Sequence, residues 1–224
     1  MNLIVSKDNA ELIGRASKDF EARVNELLSS QPKVRVLLTG GTLGIEFIAA
    51  MKGLRIDYSK VWLMFSDERF VPLTHPDRNE HQAIGAWSEL EQYLLRYPDS
   101  NQALSAARVE LEGQISKVFE DGHGIDITIL GMGPDGHVAS LFPGHDQPGD
   151  WVIAEPSSPK PPAERLSLSY RALEQSGEVW FLASGESKAA AVSSALNSEE
   201  LPAGRVRGKY ETRWYLDAAL NGAL

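Results

Sequence analysis

Apolar residues recur along this chain in two alternating rhythms. Over residues 8–28, Leu12, Ile13, Ala16, Phe20, Val24, Leu27 and Leu28 fall at the spacing of one helix face, and Gln31-Pro32 ends the segment. The next run, Val34-Arg35-Val36-Leu37-Leu38, is apolar at nearly every position and predicts a strand buried on both faces. The alternation then repeats. Thr39-Gly40-Gly41-Thr42 leads into a predicted helix from about Leu43 to Met51, and a second apolar strand at 61–65 runs into Ser66-Asp67-Glu68-Arg69. Helices are predicted over 79–97 and 101–119. Asp126-Ile127-Thr128-Ile129-Leu130 is a third buried strand, feeding Gly131-Met132-Gly133. Strands recur at 151–155, 165–169 and 178–183, a helix follows at 186–196, and a last strand and helix occupy 213–220. Strands apolar throughout, alternating with helices, imply an α/β fold with a mostly parallel sheet and helices on both faces. No internal repeat or low-complexity tract interrupts the order, so one domain over residues 1–224 is expected. The most loop-like stretch is Pro156 to Pro162, with four prolines in seven residues, readable as a boundary or as a structured active-site loop.

Composition narrows the classes of function. The 224 residues contain no cysteine, which excludes a disulfide scaffold, a thiolate zinc site and a cysteine nucleophile together. The 31 acidic and 22 basic residues give a formal charge of −9, which argues against a nucleic-acid partner. The apolar run at 61–65 is far short of the roughly 20 residues that a bilayer span needs. Lys7 and Asp8 follow the first apolar residues too soon for a signal-peptide core. A soluble, cytoplasmic protein with neither membrane nor nucleic-acid partner is expected.

In open α/β sheets, ligands bind beyond the carboxyl ends of the strands, and three such ends carry unusual chemistry here. At Thr39-Gly40-Gly41-Thr42, two glycines let the backbone approach an anion at a helix N-terminus, with Thr42 adding a hydroxyl. A tight turn with a threonine cap reads as well from these residues alone. No Gly-Lys-Ser/Thr follows, so this is not a Walker loop. Arg69, in Asp67-Glu68-Arg69, can grip a phosphate or carboxylate bidentately, or belong to a solvated charge cluster. Gly131-Met132-Gly133-Pro134-Asp135-Gly136 matches the dinucleotide pattern G-x-G-x-x-G, with Glu155 about 20 residues on. Pro143-Gly144 stops any crossover helix too early, and Asp135 would set a carboxylate against pyrophosphate. Asp135 and His137 instead suit a general base and the carboxylate that orients it. The histidines at 75, 81, 123 and 145 lie in loops or on polar helix faces and receive no role. Lys188, in Gly185-Glu186-Ser187-Lys188, opposes the dipole of the helix it opens, a conflict that a bound anion would offset. Arg165 heads a strand just after the proline-rich loop and can point either way.

Taken together, these segments resemble the 6-phosphogluconolactonase family and its relatives, the glucosamine-6-phosphate deaminases. Leu130 to Gly144, LGMGPDGHVASLFPG, is similar to the family's LGMGxDGHTASLFPG. Asp67 to Pro72 resembles its DERxVP segment, Ser158 to Arg165 its SPKPPxxR stretch, and Gly185 to Lys188 its GxxK. Leu201-Pro202-Ala203 and Trp214 to Ala219 resemble its C-terminal LPA and WxxDxAA. The resemblance implies a Rossmann-like sheet of the ribose-phosphate isomerase and deaminase kind. It implies hydrolysis of a sugar-phosphate lactone, 6-phospho-D-glucono-1,5-lactone, in the oxidative pentose phosphate pathway. His137 would be the base, Asp135 its support, and Gly40, Gly41, Thr42, Arg69, Arg165 and Lys188 would bind substrate. No metal or organic cofactor is implied. Four positions depart from the family: Leu43-Gly44 replaces its Thr-Pro, Arg78 its serine, and Val138 its threonine. The amino-sugar deaminases continue their GxDGH turn with FNEP where Ser140 to Gly144 stand here. A non-catalytic sugar-phosphate sensor on the same fold could dispense with the Asp135–His137 pair.

Overall fold

The computed structural model describes residues 1–145 and 149–223. Six strands form one wholly parallel sheet in the order β1 (Asn2–Ser6), β9 (Glu211–Asp217), β8 (Ser176–Ala183), β5 (Ile125–Gly131), β2 (Val34–Leu38) and β3 (Val61–Phe65). Three more, β4 (Asp67–Arg69), β7 (Arg165–Leu168) and β6 (Val152–Glu155), make a small antiparallel sheet. The chain passes from one sheet to the other through Ser66, whose N–H donates to Leu38 of β2 and whose carbonyl accepts from Leu168 of β7.

The long helix α1 (Asn9–Ser30) begins where Asp8 accepts the N–H of Glu11, while the Glu11 carboxylate accepts the N–H of Lys7. Its apolar face meets α2 (Gly41–Met51) and the large sheet: Phe20 packs edge-on against Phe47 at 5.4 Å and Trp180 at 6.3 Å. Trp180's neighbour Phe181 points to the other face and stacks on Trp214 at 3.9 Å. All eight residues of β8 are buried, so both faces of the sheet are covered. The remaining helices are α3 (Asn79–Ala86), α4 (Leu104–Phe119), the one-turn α5 (Tyr170–Leu173), α6 (Ala189–Asn197) and α7 (Pro202–Arg205). Among the described residues no helix is long and apolar enough to cross a membrane.

The α/β class and the parallel sheet with covered faces are as the apolar pattern predicts. Several elements differ. The segments expected as strands at 151–155 and 165–169 are strands, but they belong to the small sheet. The helix expected over 79–97 stops at Ala86. Trp87 takes an extended backbone and sets its ring against Tyr58 at 4.7 Å, so tertiary aromatic packing overrides the helical spacing. The strand β1, an edge strand that among the described residues pairs only with β9, carries a run of just three apolar residues, Leu3, Ile4 and Val5, too short to be told apart as a strand.

Candidate active site

Because the large sheet is wholly parallel, its loop-bearing strand ends open on one edge, and the small sheet closes over that edge. A cavity of about 560 Å³ lies between them. Gly40, Gly41, Thr42, Arg69, His137, Arg165 and Lys188 all line it. Asp135 is not in its wall but bonds to a residue that is. The residues expected to bind substrate therefore line one cavity, although Gly40 and Lys188 are far apart in the chain.

The turn after β5 sets the geometry of the histidine. Gly133 N–H donates to the His137 carbonyl and Gly136 N–H to the Gly133 carbonyl, with Gly136 at φ 81°. This is a turn, with no helix following it. The Asp135 and His137 side chains fold back over Gly133. A Cβ there would stand 2.1 Å from the His137 ring and 2.4 Å from Asp135 Oδ1, so only glycine leaves room for the pair. Residues far along the chain support the turn from beneath: Ala203 N–H donates to the Gly136 carbonyl, and Leu201 packs where any Gly136 side chain would go.

Asp135 Oδ1 lies 2.5 Å from His137 Nδ1. With Nδ1–H donating to that carboxylate, the lone pair sits on Nε2, which bonds to no described residue. The imidazole rests on Phe142, ring centroids 4.8 Å apart. Burial, opposed by Asp135 and aided by the Lys160 charge, holds the His137 pKa below its ordinary value. Asp135 is half exposed; burial raises its pKa, but the bond to His137 and its charge bring it below the usual carboxylate range. Both shifts favour a neutral imidazole beside a carboxylate at neutral pH.

The opposite wall of the cavity presents a helix N-terminus and a lysine. Gly40 precedes α2 and caps it without a side chain, so the helix's first-turn N–H groups stand beside the cavity. Gly41 starts the helix at φ 75°, and glycine adopts that angle where a side chain would strain it. Asn79 crowds Gly40, its Oδ1 only 2.0 Å from the place of a Cβ. Thr39 Oγ1 accepts the N–H of Gly131 at 3.1 Å and ties the ends of β2 and β5 together. Replacement of the family's Thr-Pro by Leu43-Gly44 is accommodated, since Gly44 lies where a Cβ would strike the Thr39 carbonyl at 2.2 Å. Lys188 closes this wall; burial, and the Lys160 charge, lower its pKa against the pull of Asp217.

Arg69 and Arg165 face each other directly across β4 and β7. Like charges so placed repel unless an anion joins them. Arg165 donates through Nε and Nη2 to the carbonyls of Pro162, Lys160 and Pro161, and so braces the proline-rich stretch as an active-site loop. Arg69 donates Nη1 to the Asp77 carbonyl, and its Nε is buried without a partner. Of the two arginines, Arg69 therefore has more donors free for a ligand.

Several wall residues were not singled out from sequence. Asp67 accepts from Ser140 Oγ at 2.6 Å. Asn79 Oδ1 is a buried acceptor without a donor. Asn9 reaches the cavity because β1 delivers the start of α1 there, and Lys160 rides on the braced loop. No local pattern marks Asn9 as a wall residue, since its place depends on the pairing of β1 with β9; the signal for Lys160 is its position in the SPKPPxxR stretch. Glu68, by contrast, points away from the cavity's chemistry. It is buried, accepts the N–H groups of Arg69, Asn79 and Glu80, and burial with the neighbouring Glu80 charge pushes its pKa up to about 8. Among the described residues no group of three His, Asp or Glu side chains is placed to hold a metal.

Comparison with known proteins agrees on one family. Residues 7–214 match the family model described as glucosamine-6-phosphate isomerases/6-phosphogluconolactonase. The chain is similar to the 6-phosphogluconolactonase of Mycobacterium leprae, 32% identical with 95% of this chain and 94% of that protein covered. It is 35% identical to the one from Streptomyces coelicolor, over 97% of this chain and 92% of that protein. The crystal structure of 6-phosphogluconolactonase from Thermotoga maritima superposes with a TM-score of 0.87 at 27% identity, covering 96% of this chain and 99% of that one.

Proposed function

Since the chain belongs to the glucosamine-6-phosphate isomerase and 6-phosphogluconolactonase family, we propose that it hydrolyses 6-phospho-D-glucono-1,5-lactone to 6-phospho-D-gluconate, with His137 as general base. The observation that carries this reading is the Asp135–His137 pair on a cavity whose other wall is a glycine-lined helix N-terminus and a lysine. The phosphate rests against Gly40, Gly41, Thr42 and Lys188, which leaves the lactone ring toward His137. Nε2 takes a proton from water as the oxygen attacks the C1 carbonyl. Asp135 holds the imidazole in the required tautomer and stabilises the imidazolium that forms. Arg69, whose Nε is buried with no partner among the described residues, is the cation assigned to the oxyanion. Collapse of the tetrahedral adduct breaks the bond from C1 to the ring oxygen, and the imidazolium returns its proton to that oxygen. A lactone is an activated ester, so one base and one cation suffice and no metal step is invoked.

The test is turnover of freshly generated 6-phosphogluconolactone, corrected at each pH for spontaneous hydrolysis. His137→Asn keeps size and some hydrogen bonding but removes the base. Its kcat should fall by roughly 10²–10⁴-fold with KM little changed. Retention of more than about a tenth of wild-type kcat would move the role to another group.

A further inference from the structure

Lys160 has no assigned part in the reaction, yet its setting is unusual for a surface lysine. Its side chain is exposed and lines the cavity, while its backbone is fixed. The Lys160 carbonyl accepts from Ser158 Oγ at 2.9 Å and from Arg165 Nη2 at 3.0 Å, and its N–H donates to Ser158 Oγ at 3.3 Å. Lys188 lines the same cavity from the connection between β8 and α6. Neither ammonium group forms an ion pair with a described carboxylate, although Arg15, Arg23, Arg35, Arg78 and Arg96 all do. The charge of Lys160 acts unfavourably on Lys188 and on His137. In a chain of net charge −9, two mutually repelling lysines line one cavity, one on each sheet's loops.

From this placement we infer that Lys160 is a second phosphate-binding residue, which together with Lys188 grips the substrate's phosphoryl dianion between the two sheets. The inference rests on the sugar-phosphate reading of the cavity and names a recognition residue within it. A dianion satisfies both ammonium groups at once and relieves their repulsion, which a neutral or monoanionic group does only in part. The braced backbone matters because it lowers the entropy lost when the loop's lysine is fixed on the ligand. Lys160 thus selects phosphorylated over unphosphorylated lactones.

The experiment compares wild type, Lys160→Met and Lys160→Arg on two substrates, 6-phosphogluconolactone and unphosphorylated gluconolactone. Inorganic phosphate is titrated into each protein in parallel by calorimetry. Loss of one charge-assisted contact should raise KM for the phosphorylated lactone about 10–100-fold. The ratio of kcat/KM between phosphorylated and unphosphorylated lactone should fall by a similar factor, and arginine should restore most of it. An unchanged ratio overturns the inference. So does a Lys160→Met protein whose KM is intact and whose only change is a shifted acid limb of kcat, since Lys160 would then act on His137 alone. If wild type turns over neither lactone, the proposed reaction fails, and the phosphate titration still decides: weaker binding by Lys160→Met upholds the clamp, equal binding refutes it.

Discussion

At the scale of single residues, the site depends as much on an absent side chain as on those present. Gly133 is the clearest case, because the Asp135 and His137 side chains occupy the space that a Cβ would need. Gly133→Ala should push the imidazole out of line while leaving every titratable group in place. Displacements near 1 Å cost on the order of 100-fold when reacting atoms must be aligned. A fall in kcat of that size, with near-wild-type unfolding behaviour, is the expected result. The pH profile offers a second check on the same turn. Only neutral His137 can accept a proton, and burial together with Lys160 lowers its pKa. The acid limb of kcat should therefore lie below pH 6.5, the usual histidine midpoint, and His137→Asn should lack it. A limb above that value would mean that Asp135 outweighs burial.

The elements carry a different dependence, seen where Arg78 departs from the family's serine. The guanidinium is fully buried at the start of α3. It donates to Glu80 at 3.0 Å and to the carbonyls of Val71 and Tyr97, each at 2.8 Å. It thereby anchors the long loop that leaves β4 and returns beneath the cavity. Arg78→Ala would leave Glu80, itself fully buried, short of one cation; breaking such a buried pair typically costs about 3–5 kcal/mol. A lower urea midpoint with an unchanged slope is expected, and KM should rise because Asn79, the next residue, lines the cavity. The elements also show what the sequence could reveal. Strands buried on both faces, such as β2 and β5, were plain because each is a continuous apolar run. The small sheet looked no different, since strand pairing leaves no local mark on 152–155 or 165–168. Trp87 ended a helix for reasons that lie in Tyr58, remote in the chain. The site was legible where chemistry was concentrated in short motifs, as around Asp135 and His137. It was not legible at Asn9 or Asn79, which owe their place in the wall to the packing of α1 and α3.

For the whole molecule, the cavity's place between two sheets links binding to stability. A ligand that touches β2, β5 and β8 loops on one side and the β4–β7 arginines on the other resists separation of the two sheets. With 6-phosphogluconate at about 100 times its Kd, folding should gain about 2.7 kcal/mol. In a protein of this size that corresponds to a rise in Tm of roughly 5–10 °C. Gluconate at equal concentration should give much less, since it lacks the phosphate proposed to rest against Lys188 and the α2 N-terminus. Equal shifts from both compounds would place the phosphate outside the cavity.

The strand order has a consequence in time. β1 pairs with β9 and with no other strand, and β9 stands between it and the rest of the sheet. On a ribosome β1 emerges long before its partner, which begins only at Glu211. At the usual 5–20 residues per second, the intervening stretch takes roughly 10–40 s to synthesise. Through that interval Leu3, Ile4 and Val5 have no ladder to join, and Asn9 has no fixed place beside the cavity. The nascent chain thus carries an unpaired apolar strand until β9 follows. Cellular holdases have that long to bind it before the sheet closes.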